Sequence, residues 1–170
     1  LSYGMETAFF RFYNKEDNKS KVISTSTISL FWSTIGFLIL FLLFRKNLAL
    51  WSEINVEYVV FTIWILALDA LAIIPFSKIR AEGRPIKYAV IKISNVVINL
   101  SLNIFFLAFL PNWAANTDNV FIQTIYYEGF QIGYIFVSNL IASLFTLLFV
   151  LPDYFKIKWQ FDADLWKKMM

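Results

Sequence analysis

The 170-residue chain contains no cysteine and no histidine. Without cysteine there is neither a disulfide framework nor a thiolate metal site, and without histidine zinc enzymes and Ser-His hydrolases are excluded by inventory. Charge is also scarce: 16% of residues are Asp, Glu, Lys or Arg, and Ile28–Phe44 has none. No close pair of carboxylates sits at the centre of an apolar stretch, and no base stands at helical spacing from the remaining Ser and Thr nucleophiles, which argues against an intramembrane enzyme. No GxxxG run marks a helix-dimer face. With a net charge of only +3, nucleic acid is not an expected partner. No cofactor or metal is expected.

What is present is hydrophobicity, at 59% of residues with a mean hydropathy of +0.62. It is concentrated in four stretches, residues 22–44, 58–79, 88–110 and 132–151. Each has about the 20 residues an α-helix needs to cross the hydrocarbon core. A stretch apolar on every side has lipid as its natural solvent. The expected fold is an all-α membrane protein, a polytopic transmembrane helix bundle, with residues 1–170 forming one partial domain. Leu1–Tyr13 is apolar but too short to cross and reads as the tail of a helix whose beginning is missing. Residues 152–170 read as a cytoplasmic connection, with Asp162–Met170 resembling the start of a further segment. The sequence as it stands opens on no signal-peptide pattern.

Basic residues set the orientation. Arg11, Lys15, Lys19 and Lys21 precede the first span; Lys78, Arg80, Arg84 and Lys87 lie between the second and third; Lys156, Lys158, Lys167 and Lys168 follow the fourth. Arg45 and Lys46 alone lie on the other side, and the positive-inside rule makes the richer side cytoplasmic. Trp51, Trp113, Tyr126, Tyr127, Tyr154 and Trp159 fall near the expected interfaces as anchors. The turn at 81–85 predicts a tight hairpin of spans two and three, Gly83 permitting positive φ and Pro85 opening the next helix. Residues 112–130, with Asn112, Asn116, Asp118 and Asn119 near the start, read as either a loop or a short surface helix.

Polar residues inside the spans are the candidate site. Lys92, Asn95, Asn99 and Asn103 recur at three- and four-residue spacing, on one face of the third span. The asparagines either bond between helices or line a polar path, and Lys92 either snorkels to the headgroups or joins that path. Asp69, at the middle of the second span, is either paired within the bundle or turned toward a wet cavity near Lys92, where it balances charge or couples a cation. Pro75 frees a backbone carbonyl and should kink or hinge that helix. Glu6 and Arg11 are too far apart for a same-face pair; Arg11 either snorkels or offers an anionic cargo a bidentate guanidinium. The fourth span, with Ser138, Asn139 and Ser143 and the small Gly133 and Ala142, is assigned a structural role.

YGMETAFFRFYNK closely resembles the end of the second membrane helix of bacterial polysaccharide biosynthesis proteins, the oligosaccharide flippases of the multidrug/oligosaccharidyl-lipid/polysaccharide exporter superfamily. ALDALAIIPFSKIRAEGRPIKYAVIKISNVVINLSLNIFF is similar to that family's fourth and fifth helices, GYIFVSNLIASLFTLLFVLPDYFKIKWQFD to its sixth, and ADLWKKMM to the link toward the seventh. The resemblance implies most of the first six-helix lobe of a two-lobe exporter of about 12 to 14 helices, working by alternating access. It implies a multi-pass protein of the bacterial inner membrane that flips undecaprenyl-pyrophosphate-linked oligosaccharide for O-antigen or capsule synthesis. The partners it implies are that lipid-linked oligosaccharide, membrane lipids, and polysaccharide polymerase and glycosyltransferase machinery. Arg11, Lys92, Asn95, Asn99 and Asn103 would then bind cargo, with Asp69 coupling an ion. Two other functions stay open: a cation-coupled multidrug exporter of the same superfamily, which would favour acidic residues in its cavity, and a non-transporting assembly subunit, whose polar stripe would be packed dry.

Overall fold

The computed structural model describes residues 4–116, 120–155, 157 and 159–169. Tyr3, Asp118, Asn119, Lys156 and Lys158, used above for resemblance, connection polarity and orientation, lie outside them. Every regular element among the described residues is helical: α1 (Met5–Lys15), α2 (Lys19–Leu43), α3 (Arg45–Ser52), α4 (Val56–Ala81), α5 (Pro85–Ile104), α6 (Leu110–Asn116), α7 (Val120–Ile125), α8 (Gln131–Phe155) and α9 (Ala163–Met169), with a π-helical turn at Phe105–Phe109 joining α5 to α6. Four continuous helices are long and apolar enough to cross a membrane: Lys19–Leu43, Val56–Ala81, Pro85–Asn116 and Gln131–Phe155. The protein is therefore a polytopic helical membrane protein.

The boundaries differ from the expected ones where turn chemistry outweighs hydropathy. The third helix does not stop at residue 110 but continues to Asn116. A proline removes one N–H and crowds the preceding turn, and the wider π turn immediately before Pro111 takes up that mismatch. The connection that read as either loop or helix thus holds two short helices. At the other end α8 runs to Phe155, past the expected end at residue 151, and the chain folds back so that α9 packs on α1 and α2.

α4 is the central helix, packed on α1, α2, α3, α5 and α8, with 39% of its most apolar stretch buried against 6% for the third span. Gly83, at φ 69, turns the chain between α4 and α5. Beside this turn Phe76, Ile79, Ile91 and Val150 form a small core, Phe76 meeting Tyr88 edge-on at 5.4 Å. The expected hairpin is nevertheless tight only there, since both α4 and α5 pack more extensively on α8 than on each other. Close packing at the far end of α8 depends on Gly133, where a Cβ would stand 2.1 Å from the Phe130 ring.

The larger core gathers at the end that holds α1, α9 and the 82–84 turn, with Met5, Phe9, Phe12, Val22, Ile74, Leu165 and Met169 packed together. Ion pairs tie its rim. Glu6 pairs with Arg80, rather than standing apart with Arg11, and the Arg80 guanidinium lies over Phe10 and Tyr88 at 5.0 and 5.3 Å. Asp153 is buried and accepts from Lys87 at 2.5 Å, with Arg84 at 3.8 Å.

Candidate functional site

A cavity of about 590 Å³ opens between α2, α4, α5 and α8. α4 contributes Asp69 and Phe76, α5 contributes Lys92 and Asn95, and α8 contributes Asn139, Ser143 and Thr146, with Phe37 of α2 closing one side. Its volume lies within the usual range of ligand pockets, roughly 300–1,000 Å³. Asp69 and Lys92 share this cavity without forming an ion pair, and among the described residues Asp69 has neither a hydrogen-bond nor a salt-bridge partner. The Lys92 ammonium lies 4.8 Å from the centroid of the Phe76 ring. A cation over an aromatic face gains about 0.5–1 kcal/mol at an exposed site, which positions the ammonium without neutralising it.

The asparagine stripe divides. Asn95 donates to Thr146 Oγ1 at 2.8 Å, and that hydroxyl in turn donates to the Ala142 carbonyl at 3.0 Å. Asn99 donates to Asn139 Oδ1, while Asn103 donates to the carbonyl and Oδ1 of Asn99 at 3.0 and 2.7 Å. Asn95 therefore reaches both the cavity and α8, whereas Asn99 bonds across to Asn139 of α8 and Asn103 bonds back to Asn99 within α5, neither of the two lining the cavity. This series of bonds ends on Asn103 Oδ1, a buried oxygen without a partner among the described residues. Arg11 is elsewhere: it is exposed on α1, 5.8 Å from the Phe12 centroid, and does not line the cavity.

α8, to which the sequence assigns only a structural role through Ser138, Asn139 and Ser143, also lines the cavity, and Thr146 and Asp153 are added to it. Asn139, Ser143, Thr146, Val150 and Asp153 follow each other at three- and four-residue spacing, a stripe that faces α4 and α5 and is as periodic as the one on α5. Ending the span at residue 151 hid its last member. Tyr154 is the other omission. Rather than anchoring at an interface, it is half-buried and donates its hydroxyl proton to the Leu71 carbonyl. That is the carbonyl four residues before Pro75, left without a helical donor because proline has no N–H. The cavity wall formed by α4 is thus held by a bond whose acceptor Pro75 created.

A second polar array is wholly structural. Ser24, Thr25, Ser26 and Thr27 are buried on consecutive positions of α2, enclosed by α1, α4 and the returning C-terminal segment. The backbone N–H groups of Gln160 and Asp162 donate to Ser24 Oγ and Thr25 Oγ1 at 2.6 and 3.1 Å, and the Trp166 indole donates to Ser29 Oγ at 2.8 Å. Asp162 caps α9 by accepting from Leu165 N–H at 3.0 Å, and that bond, helped by Lys21 at 3.4 Å, lowers its pKa below the ordinary carboxylate value. No metal-binding group of acidic side chains is found among the described residues. No known family model, curated protein or solved structure matches the chain.

Proposed function

We propose that this chain belongs to a transporter that flips undecaprenyl-pyrophosphate-linked oligosaccharide across the bacterial inner membrane by alternating access, with the Asp69–Lys92 cavity as part of the cargo path. The observation that carries this reading is a cavity among apolar helices that holds Asp69, from the middle of α4, and Lys92, two turns into α5, with no ion pair to either among the described residues. Burying unpaired charge in hydrocarbon is costly, roughly 2.5–3.5 kcal/mol per group on insertion scales, so the two groups need water or a polar ligand. Lys92 offers an ammonium to phosphate oxygens; Asn95, Asn139, Ser143 and Thr146 offer amide and hydroxyl groups to sugar hydroxyls. The resemblance of the 3–15 and 67–106 runs to oligosaccharide flippases supplies the cargo class. Polymerase and glycosyltransferase partners, a six-helix lobe and the inner-membrane location belong to the same proposal.

Asp69, without a partner, favours one second reading, a cation-coupled exporter of organic cations. Full-length protein in proteoliposomes, given a fluorescent undecaprenyl-pyrophosphate oligosaccharide, separates these. Lipid flipping that falls at least tenfold in folded Lys92→Ala supports the flippase. Organic-cation flux abolished by Asp69→Asn, with no lipid flipping, supports the exporter. Neither flux, with only stability affected, points to an assembly subunit.

A further inference from the structure

At the end opposite the large core, α2 gives way to α3 through Phe44, and this elbow carries two grooves. One, about 550 Å³, is walled by Ile39, Leu42 and Leu43 and rimmed by Arg45 and Lys46. The other, about 270 Å³, lies among Leu40, Phe41, Phe44, Asn47, Leu48 and Trp51. Leu43 and Leu50 are 76% exposed and Trp51 is 83% exposed, while Ala49 alone of α3 is buried, in a helix that packs on α4. Among the described residues neither Arg45 nor Lys46 has a carboxylate within 4.0 Å; Glu53 and Glu57 follow later in the chain and do not line either groove.

We infer that this elbow is a binding site for an anionic phospholipid of the surrounding bilayer, its phosphate held by Arg45 and Lys46 and its acyl chains lying in the two grooves. Charge complementarity decides the occupant. Two unpaired cations stand where an apolar span reaches the headgroup level, and a bilayer phosphate is the group with its acyl chains already in the adjoining hydrocarbon. A protein partner would need carboxylates among apolar contacts, and a soluble anion would leave both grooves unfilled. The exposed indole of Trp51 sits at the same level, where aromatic rings favour the interface.

The test uses full-length protein in detergent with phosphatidylglycerol and phosphatidylcholine of identical acyl chains, binding read by native mass spectrometry and by thermal unfolding. One phosphatidylglycerol should be retained in preference to phosphatidylcholine and should raise the unfolding temperature. Arg45→Gln with Lys46→Gln should weaken its binding about thirtyfold, each cation contributing roughly a factor of five, and Arg45→Lys with Lys46→Arg should restore it. Leu43→Ala should weaken both lipids together. Equal retention of the two lipids, a preference that survives the double Gln variant, or inorganic phosphate stabilising the protein as well as the lipid does would each overturn the site.

Discussion

Two polar regions of this molecule lie among equally apolar helices and behave in opposite ways. At the basic end every hydroxyl of the Ser24–Thr27 row is enclosed by protein, and the nearby carboxylates Glu6, Asp153 and Asp162 are all paired. Away from that end, Asp69 at the middle of α4 and Lys92 two turns into α5 share a cavity and, among the described residues, form no ion pair. The difference teaches where function is to be sought. Polar groups that find partners within the chain hold the fold, and their removal should be felt as lost stability. Polar groups left without partners have nothing to hold, so their removal should be felt elsewhere.

The largest expected effect breaks the comparison most sharply. Asp153→Ala removes a buried carboxylate and strands Lys87, while Arg84 keeps its pair with Glu82; discounted for the partial exposure of Lys87, it should destabilise the fold by about 2 kcal/mol. Asp69→Asn, which removes a charge and no bond, should change stability by no more than about 0.5 kcal/mol. Denaturant unfolding of both variants in the same detergent checks this. Equal losses would place Asp69 among the structural groups.

A smaller effect sharpens the boundary between the regions, because Tyr154 belongs to the packed end yet braces the cavity wall. Tyr154→Phe should cost about 1 kcal/mol by leaving the Leu71 carbonyl unsatisfied. In a Pro75→Ala background the regained N–H satisfies that carbonyl, and the same substitution should cost only a few tenths of a kcal/mol. A double-mutant cycle without coupling would dissociate the tyrosine from the proline.

The smallest effect lies at the docked segment. Because the folded state lowers the pKa of Asp162, its contribution is present above the ordinary carboxylate value of about 3.9 and is lost as pH falls through the folded-state value. The protection of the Leu165 amide, exchange being taken relative to the base-catalysed intrinsic rate at each pH, should therefore be independent of this group between about pH 5 and 8 and fall in acid, and Asp162→Ala should abolish that fall. Protection that is unchanged in acid, or that is lost instead on the alkaline side, would contradict the assignment.

The four spans were legible from hydropathy because a membrane helix must be apolar all round over a fixed length, and that demand is local. The α5 stripe was legible from its spacing, but spacing could not say that Asn99 and Asn103 would meet Asn139 and each other while Asn95 would reach the cavity; that depends on where α8 stands. Spacing likewise could not say where α1 would carry Arg11. Its charge and position suit a cavity mouth, yet α1 carries it away from the cavity. The Ser24–Thr27 row escaped notice because four hydroxyl residues in succession have no helical periodicity, and their burial depends on a segment more than 130 residues later folding back. Pro75 was readable as a source of a free carbonyl, whereas the identity of its donor was not.

The absence of cysteine from these 170 residues favours one measurement: single cysteines at 69 and 95, compared with 25 and 153, probed in membranes with a water-soluble maleimide on full-length protein from which any cysteine elsewhere has been replaced. If the cavity is wet and the basic end is packed, positions 69 and 95 should label readily and positions 25 and 153 only after unfolding. Protection of 69 and 95 to the same degree as 25 and 153 would contradict the existence of a polar path and with it the transport reading.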